Sequence, residues 1–222
     1  MTSSISERIT NICASLPPSV RLIAVSKTFP AADIRTAYAA GIRDFGENRI
    51  QEAASKQAEL QDLPDITWHF IGGLQSNKAK KAIELFDWIH SVDNLKLAQR
   101  LNKLAQQLGV TPQVCLQVKL LPDPNKSGWT VPELLVDLPD LNQCKTLQIQ
   151  GLMTIPPLGL TDTEILKVFK STQELAQKIQ QQNWSHLKMD SLSMGMSGDY
   201  QLAVEAGATM VRLGTILFGN RT

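Results

Sequence analysis

A chain of 222 residues with 43% hydrophobic residues is long enough to bury one sizeable core, and nothing in its length requires a second domain. Its 22 Lys and Arg residues nearly balance 21 Asp and Glu residues, so the formal net charge is +1. This balance argues against a nucleic-acid or anionic-membrane partner, because such partners require clustered positive charge. The three cysteines have no CxxC spacing, so neither a disulfide framework nor a zinc site is expected.

The N-terminal residues lack a basic region followed by an apolar run, and no segment is apolar over the length needed to cross a bilayer. We therefore expect a cytoplasmic protein. Only three histidines occur, and none belongs to a helical metal-ligand pair. The sequence therefore predicts no metal site.

The first predicted elements are an amphipathic helix and a buried strand that ends at a lysine. Apolar residues recur at helical spacing over residues 5–16, where two prolines end the pattern. The apolar run over residues 22–25 predicts a buried parallel strand, and Pro30 predicts the start of a helix. Lys27 therefore lies at the carboxyl end of a strand, which is the edge where parallel α/β folds bind ligands.

Strands and helices alternate along the rest of the chain. Apolar patterns and turn signals predict seven further strands, at residues 43–48, 67–71, 87–92, 114–119, 147–153, 187–194 and 210–214. Helices are predicted after the strands, at residues 31–40, 49–60, 76–86, 95–108, 131–138, 161–182 and 199–206.

Eight strands alternating with helices favour a closed (β/α)₈ barrel of the TIM type, as a single α/β domain over residues 1–222. An open Rossmann-like sheet is the alternative, but no GxGxxG follows the first strand. Because few residues follow the last strand, we expect the helix over residues 5–16 to replace the eighth outer helix.

Glycine and hydroxyl residues follow the seventh and eighth strands. Ser197 and Gly198 come after the seventh strand, and Gly214 and Thr215 come after the eighth. These two loops often build phosphate sites in barrels, because glycine lets backbone amides approach an anion. An ordinary helix cap at Ser197 with two packing glycines explains the same local pattern.

A lysine that faces a phosphate site would suit a phosphorylated aldehyde bound as a Schiff base. The amine must be neutral for this reaction, and partial burial together with the nearby cation of Arg212 would lower the pKa of Lys27. Two chemistries fit this arrangement: a lysine aldolase acting on a sugar phosphate, and a pyridoxal 5′-phosphate (PLP) protein. Carboxylates that would serve an aldolase are scarce at the strand ends.

Several segments in order carry a resemblance to a known family. They span residues 24–219 and are AVSKTFP, DFGENRIQEA, WHFIGGLQSNKAK, HSVDN, GLMTIPP and SMGMSGDYQLAVEAGATMVRLGTILFG. Together they resemble the PLP homeostasis proteins. The resemblance implies a fold-type III PLP binder, similar in fold to the N-terminal barrel of bacterial alanine racemases.

The resemblance also implies which residues hold the cofactor, namely Lys27, Asn48, His69, Met194, Ser197, Gly198, Arg212, Gly214 and Thr215. In this interpretation Lys27 forms the Schiff base, the serine, glycine and threonine residues surround the phosphate, and Arg212 faces the pyridine nitrogen. Asn48, His69 and Met194 line the cofactor. Lys119 stands where the family commonly has asparagine, which puts a second amine near the barrel mouth.

The resemblance favours a carrier over an enzyme. A permanently charged arginine beside the pyridine nitrogen disfavours its protonation, which makes the ring a poor electron sink. Alanine racemases with such an arginine use a tyrosine from a second domain, whereas this chain has only Tyr38 and Tyr200 and no residues left for that domain. We expect a PLP carrier or buffer that affects amino- and keto-acid balance indirectly.

Three alternatives remain at this point: a small single-domain racemase, a lysine aldolase, and an interaction module without a cofactor. Apo PLP enzymes that receive the cofactor are the expected protein partners. Because no second domain supplies an interface, we expect a monomer.

Overall fold

The computed structural model of the protein describes residues 3–219 and consists of parallel strands that alternate with helices. The strands are β1 (Arg21–Val25), β2 (Asp44–Glu47), β3 (Thr67–Phe70), β4 (Trp88–Val92), β5 (Gln113–Lys119), β6 (Trp129–Thr130), β7 (Gln148–Met153), β8 (Leu187–Ser193) and β9 (Met210–Leu213). The helices are α1 (Ile5–Ser15), α2 (Ala31–Ala39), α3 (Ile50–Glu59), α4 (Ala79–Leu85), α5 (Leu95–Leu108), α6 (Val131–Leu141), α7 (Asp162–Gln180), α8 (Tyr200–Glu205) and α9 (Thr215–Phe218).

Eight of these strands close into a barrel. The hydrogen-bonded order is β4-β3-β2-β1-β9-β8-β7-β5, and β4 also pairs with β5, so the ring has no open edge. Every pairing is parallel. The predicted (β/α)₈ barrel is therefore confirmed, and the carboxyl ends of all eight strands meet at one mouth.

The N-terminal helix packs where the prediction placed it. Helix α1 contacts α2 and the short helix α9, and Arg8 Nε donates a 2.6 Å hydrogen bond to the carbonyl of Leu217. Helix α9 itself was not predicted, because four residues are too few to show helical periodicity.

Side chains alternate between the two faces of the barrel wall. Inward-facing residues form a small cluster inside the barrel, made of Ile23, Trp88, Cys115, Met153 and Met210. Outward-facing residues pack against the helices in a much larger cluster that includes the fully buried Phe45, Phe70 and Phe169. Burying one such phenylalanine stabilises the fold by about 1.5–3 kcal/mol, so the outer layer carries most of the hydrophobic stabilisation.

Three details differ from the predicted elements. The helix that starts at Val131 continues to Leu141 through Pro139, because Leu138 and Leu141 are fully buried and hold its last turn against the core. Helix α4 is preceded by a 3₁₀ turn over Ser76–Lys78, and the two-residue strand β6 pairs with the end of β5. Within residues 3–219, no helix has the length and apolar character that would let it span a membrane.

Candidate functional site

A cavity of about 300 Å³ opens at the barrel mouth, beside the ends of β1 and β9. It brings together six of the predicted site residues: Lys27, Ser197, Gly198, Arg212, Gly214 and Thr215. Its remaining walls are mainly apolar and comprise Val25, Phe29, Ile71, Ile155 and Met196. The combination of a few convergent polar groups and apolar walls is typical of a small-molecule site.

The apolar walls were not predicted, because the site residues were sought mainly among polar side chains at the strand ends. Val25 is the last residue of β1 and Ile71 follows the last residue of β3. Their positions at strand ends could therefore have predicted that they line the cavity. Phe29 is held in place by stacking on Phe218, with ring centroids 4.9 Å apart. These residues supply flat apolar surface on which an aromatic ring could pack.

Lys27 reaches the cavity because of the alternation along β1. Ile23 belongs to the cluster inside the barrel, and Val25, two residues later, lines the cavity. Lys27 continues this inward face beyond the end of the strand and is half-buried. Its amine therefore belongs to the site and not to the surface loop that follows.

Two glycine-containing loops form part of the cavity wall. Gly195 has φ +92°, and a Cβ there would lie 2.6 Å from the Cβ of Ala203, so only glycine fits this turn. The backbone N–H of Gly214 donates to Ser197 Oγ at 3.3 Å, which joins the two loops. Backbone amides and hydroxyl groups in such an arrangement can bind an anionic oxygen.

Arg212 places a buried positive charge in the cavity wall. Only 4% of the residue is exposed. Its guanidinium donates to the carbonyl and the hydroxyl of Ser193, both at 2.6 Å, and to the carbonyl of Thr154 at 3.1 Å. Burial lowers the pKa of Arg212 to about 10, so the group is still a cation at neutral pH.

A chain of hydrogen bonds extends from Arg212 through the barrel interior. Ser193 Oγ lies 2.7 Å from His90 Nδ1, and His90 Nε2 lies 2.9 Å from His69 Nδ1. His69 Nε2 lies 2.8 Å from a carboxylate oxygen of Asp44, which begins β2 at the opposite end of the barrel. This series of hydrogen bonds therefore connects the cavity with the far end of the barrel.

The ends of this chain determine where its protons lie. Arginine only donates and a carboxylate only accepts, so the hydroxyl of Ser193 accepts from Arg212 and donates to His90 Nδ1. His90 Nε2 then donates to His69, which in turn donates to Asp44. In this assignment both imidazoles are neutral. Burial lowers the pKa of His69, and burial together with the nearby cation of Arg212 lowers the pKa of His90 well below its usual value.

The remaining predicted residues lie outside the cavity wall. His69 is fully buried in the barrel interior, and Met194 is fully buried in the outer hydrophobic cluster. Asn48 lines a neighbouring depression with Gly73 and Lys78. Lys119 lines a different depression beside Thr130, so within residues 3–219 it is not among the residues that line the cavity.

The two buried histidines predict how stability depends on pH. Their folded-state pKa values lie below that of an unfolded histidine, so the unfolded chain binds more protons below about pH 6.5. We expect the free energy of unfolding to fall as the pH decreases from 6.5 to 5, by up to about 1.4 kcal/mol per pH unit for each histidine. Urea unfolding at a series of pH values measures this slope.

The exposed His186 provides the control for this measurement. The variant His186→Gln should keep the wild-type slope, whereas His90→Gln should flatten it. An unchanged slope in His90→Gln would contradict a neutral, buried imidazole at that position.

Comparison with known proteins identifies close relatives over almost the whole chain. The sequence profile described as "Alanine racemase, N-terminal domain" matches residues 2–222. A protein of Synechocystis sp. named pyridoxal phosphate homeostasis protein is 59% identical, with 95% of each chain covered. A protein of Pseudomonas aeruginosa with the same name is 44% identical, over 99% of this chain and 96% of the relative.

Solved structures agree with these sequence matches. The structure of PipY from Synechococcus elongatus with PLP bound has a TM-score of 0.93 and 57% identity, and it covers 97% of this chain and 100% of PipY. An alanine racemase of Clostridium difficile has a TM-score of 0.82 at 16% identity, over 98% of this chain but 56% of the racemase. The likeness to the racemase concerns the barrel fold alone.

Proposed function

Since this chain belongs to the family of pyridoxal phosphate homeostasis proteins, we propose that it holds PLP at Lys27 and acts as a carrier or buffer of the cofactor. The observation that carries this proposal is the cavity that joins the Lys27 amine, the Arg212 cation and the two hydroxyl- and glycine-containing loops. PipY, a relative with 57% identity, has a structure with PLP bound.

The residues of the cavity match the parts of PLP. The phosphate would bind at Ser197, Gly198, Gly214 and Thr215, where hydroxyl groups and loop backbone line the cavity and the described wall residues include no carboxylate. The apolar residues Val25 and Phe29 would pack against the ring, and Arg212 would face the pyridine nitrogen. Bound PLP supplies an aldehyde that condenses with an amine to a Schiff base with the loss of one water. Asn48, His69 and Met194 would support the site from behind its wall.

The composition of the cavity wall supports a role without catalysis. Arg212 is a buried cation that already donates to three acceptors, so it disfavours a proton on the pyridine nitrogen. Among residues 3–219, the cavity wall contains no aspartate, glutamate, histidine, tyrosine or cysteine. A racemase requires a second acid or base opposite the lysine, and no described residue of the wall has that chemistry.

The absorbance of the protein tests this proposal. PLP-loaded protein should have a visible band from the Schiff base, and Lys27→Ala should abolish it while Lys119→Ala retains it, because Lys119 lies in another depression. Loaded wild-type protein should neither racemise alanine nor cleave sugar phosphates at rates typical of dedicated enzymes. A band that persists in Lys27→Ala, or efficient racemisation, would contradict the proposal.

We further propose that recipient apo PLP enzymes are the protein partners, that the chain is a cytoplasmic monomer, and that the cofactor passes on direct contact. The half-buried position of Lys27 in an open barrel mouth supports direct transfer, since a recipient enzyme can reach the site. Direct transfer should load an apo enzyme faster than PLP is released to a scavenger; equal rates would indicate release to solution.

A further inference from the structure

A second polar cluster lies on the outer face of the barrel wall, behind the site. Lys56 of α3 is only 6% exposed and Glu47, the last residue of β2, is fully buried. Lys56 Nζ lies 2.7 Å from Glu47 Oε1 and 2.7 Å from Glu52 Oε1. We call Glu47, Glu52 and Lys56 the buried ion cluster. Buried charges are costly unless they are paired, so two buried charges joined to a partly exposed third require an explanation.

The buried ion cluster forms hydrogen bonds with the residues on both sides of Lys27. Lys56 Nζ donates to the carbonyl of Ser26 at 2.8 Å, and the hydroxyl of Ser26 donates to Glu47 Oε1 at 2.7 Å. The backbone N–H of Thr28 donates to Glu52 Oε1. The residue before Lys27 and the residue after it are therefore both tied to α3, while Lys27 itself faces the cavity.

These hydrogen bonds maintain an unfavourable backbone conformation at Thr28. Its φ is +68°, in the left-handed region. A β-branched residue is a clear outlier there, and left-handed backbone costs an L-residue about 1–2 kcal/mol. Such a conformation persists only where surrounding contacts enforce it. The N–H of Thr28 donates to Glu52 in this conformation, and the N–H of Phe29 donates to the carbonyl of Ser26 at 3.0 Å. Of the two bonds that hold the turn, the one to Glu52 is the side-chain contact.

We propose that Glu47, Glu52 and Lys56 are positioning residues for Lys27, which fix the turn from Ser26 to Thr28 so that the amine meets the carbonyl carbon of an aldehyde. The inference rests on the proposed function. In that reaction the neutral Lys27 Nζ attacks the aldehyde carbon, a C=N bond forms, and the carbonyl oxygen leaves as water. The buried ion cluster exchanges no proton in this step; it restricts where the amine can lie.

Variants of Glu52 test the proposal, because this residue is the most exposed of the cluster and its removal leaves the Lys56–Glu47 pair in place. Glu52→Ala removes the acceptor of the Thr28 N–H. Glu52→Gln keeps it, because one side-chain oxygen accepts from both Thr28 and Lys56. The rate of Schiff-base formation with PLP reports the position of Lys27. Binding of pyridoxine 5′-phosphate, which lacks the aldehyde, reports the rest of the cavity.

We expect Glu52→Ala to slow Schiff-base formation by about tenfold or more, since small misplacements of a reacting group cost up to about 10²-fold. The affinity of Glu52→Ala for pyridoxine 5′-phosphate should equal that of the wild type. Glu52→Gln should restore most of the rate of Schiff-base formation. The matched control is Glu164→Ala, which removes a similar carboxylate acceptor from the backbone N–H of Thr161 at the start of α7. It should leave both measurements unchanged.

Parallel losses in both measurements, or equal rates in Glu52→Ala and Glu164→Ala, would overturn the positioning role. Failure of the proposed function has a different signature, because wild-type protein would then form no Schiff base at Lys27. A wild-type band combined with normal kinetics in Glu52→Ala would refute the positioning role alone.

Discussion

Lys56→Met is expected to destabilise the protein by about 3–5 kcal/mol, which is the usual cost of removing one partner of a buried ion pair. Methionine keeps the length of the side chain but removes the cation. The carboxylate of Glu47 is fully buried, and its Oε2 already has no hydrogen-bond partner within residues 3–219. Urea unfolding at pH 7 measures the loss as a lower midpoint.

The pKa of Glu47 gives the physical reason for this cost. Burial raises the pKa, and hydrogen bonding and charge from Lys56 oppose that effect. Without Lys56 the pKa should rise further, so that the folded variant takes up a proton that the unfolded chain does not hold at pH 7. The loss of stability of Lys56→Met relative to the wild type should therefore shrink as the pH is lowered toward the unfolded-state pKa of Glu47.

An exposed lysine provides the control. Lys80 is paired with Glu84 at 3.9 Å and its side chain is 63% exposed, so Lys80→Met should cost less than about 1 kcal/mol. The double variant with Glu47→Leu and Lys56→Met should recover most of the stability, because an apolar pair can replace a buried ion pair. Equal midpoints for the two single lysine variants would contradict the prediction.

Gly151→Ala is expected to destabilise the barrel by about 3 kcal/mol or more, at the upper end of what overpacking costs. A Cβ at this position would lie 1.7 Å from the carbonyl oxygen of Ser191, its partner on β8. The obstacle is backbone in a closed ring of strands, so it cannot rotate away as a side chain can. Circular dichroism during thermal unfolding measures the expected decrease in the melting temperature.

Gly73→Ala is the matched control, because a Cβ there meets nothing within 4 Å. It should change the melting temperature little. If Gly151→Ala keeps the wild-type melting temperature, β7 and β8 must separate more easily than their close approach implies. The carbonyls of Thr154, which follows β7, and Ser193, the last residue of β8, accept from Arg212, so the variant should also weaken PLP binding.

The two polar networks contact Arg212 and the backbone around Lys27 from opposite faces of the barrel wall. The inner hydrogen-bond chain, from Ser193 to Asp44, ends on Arg212. The buried ion cluster on the outer face ends on the backbone around Lys27. Strand alternation produces this division, because Ser26 and Lys27 are consecutive and therefore face opposite sides.

Much of the architecture was predictable from local patterns. Apolar runs such as residues 22–25 and 114–118 predicted the strands of the barrel within one or two residues, and the cluster of glycines after the last two strands predicted the loops that line the cavity. The position of Lys27 at the end of a strand indicated its place at the mouth. These features were readable because each depends on residues adjacent in the sequence.

The sequence by itself determined the order of strands and helices, the barrel fold and the residues of the cavity that follow strands. Only the tertiary structure decided the surroundings of the charged groups. Glu52 and Lys56 have the i,i+4 spacing of an ordinary surface pair, and His69 and His90 lie on the neighbouring strands β3 and β4, 21 residues apart in the sequence. Packing of α3 against β2 buries the Lys56 end of the first pair, and pairing of β3 with β4 brings the histidines together. Burial and long-range contact arise from the packing of distant segments, and no local pattern encodes them.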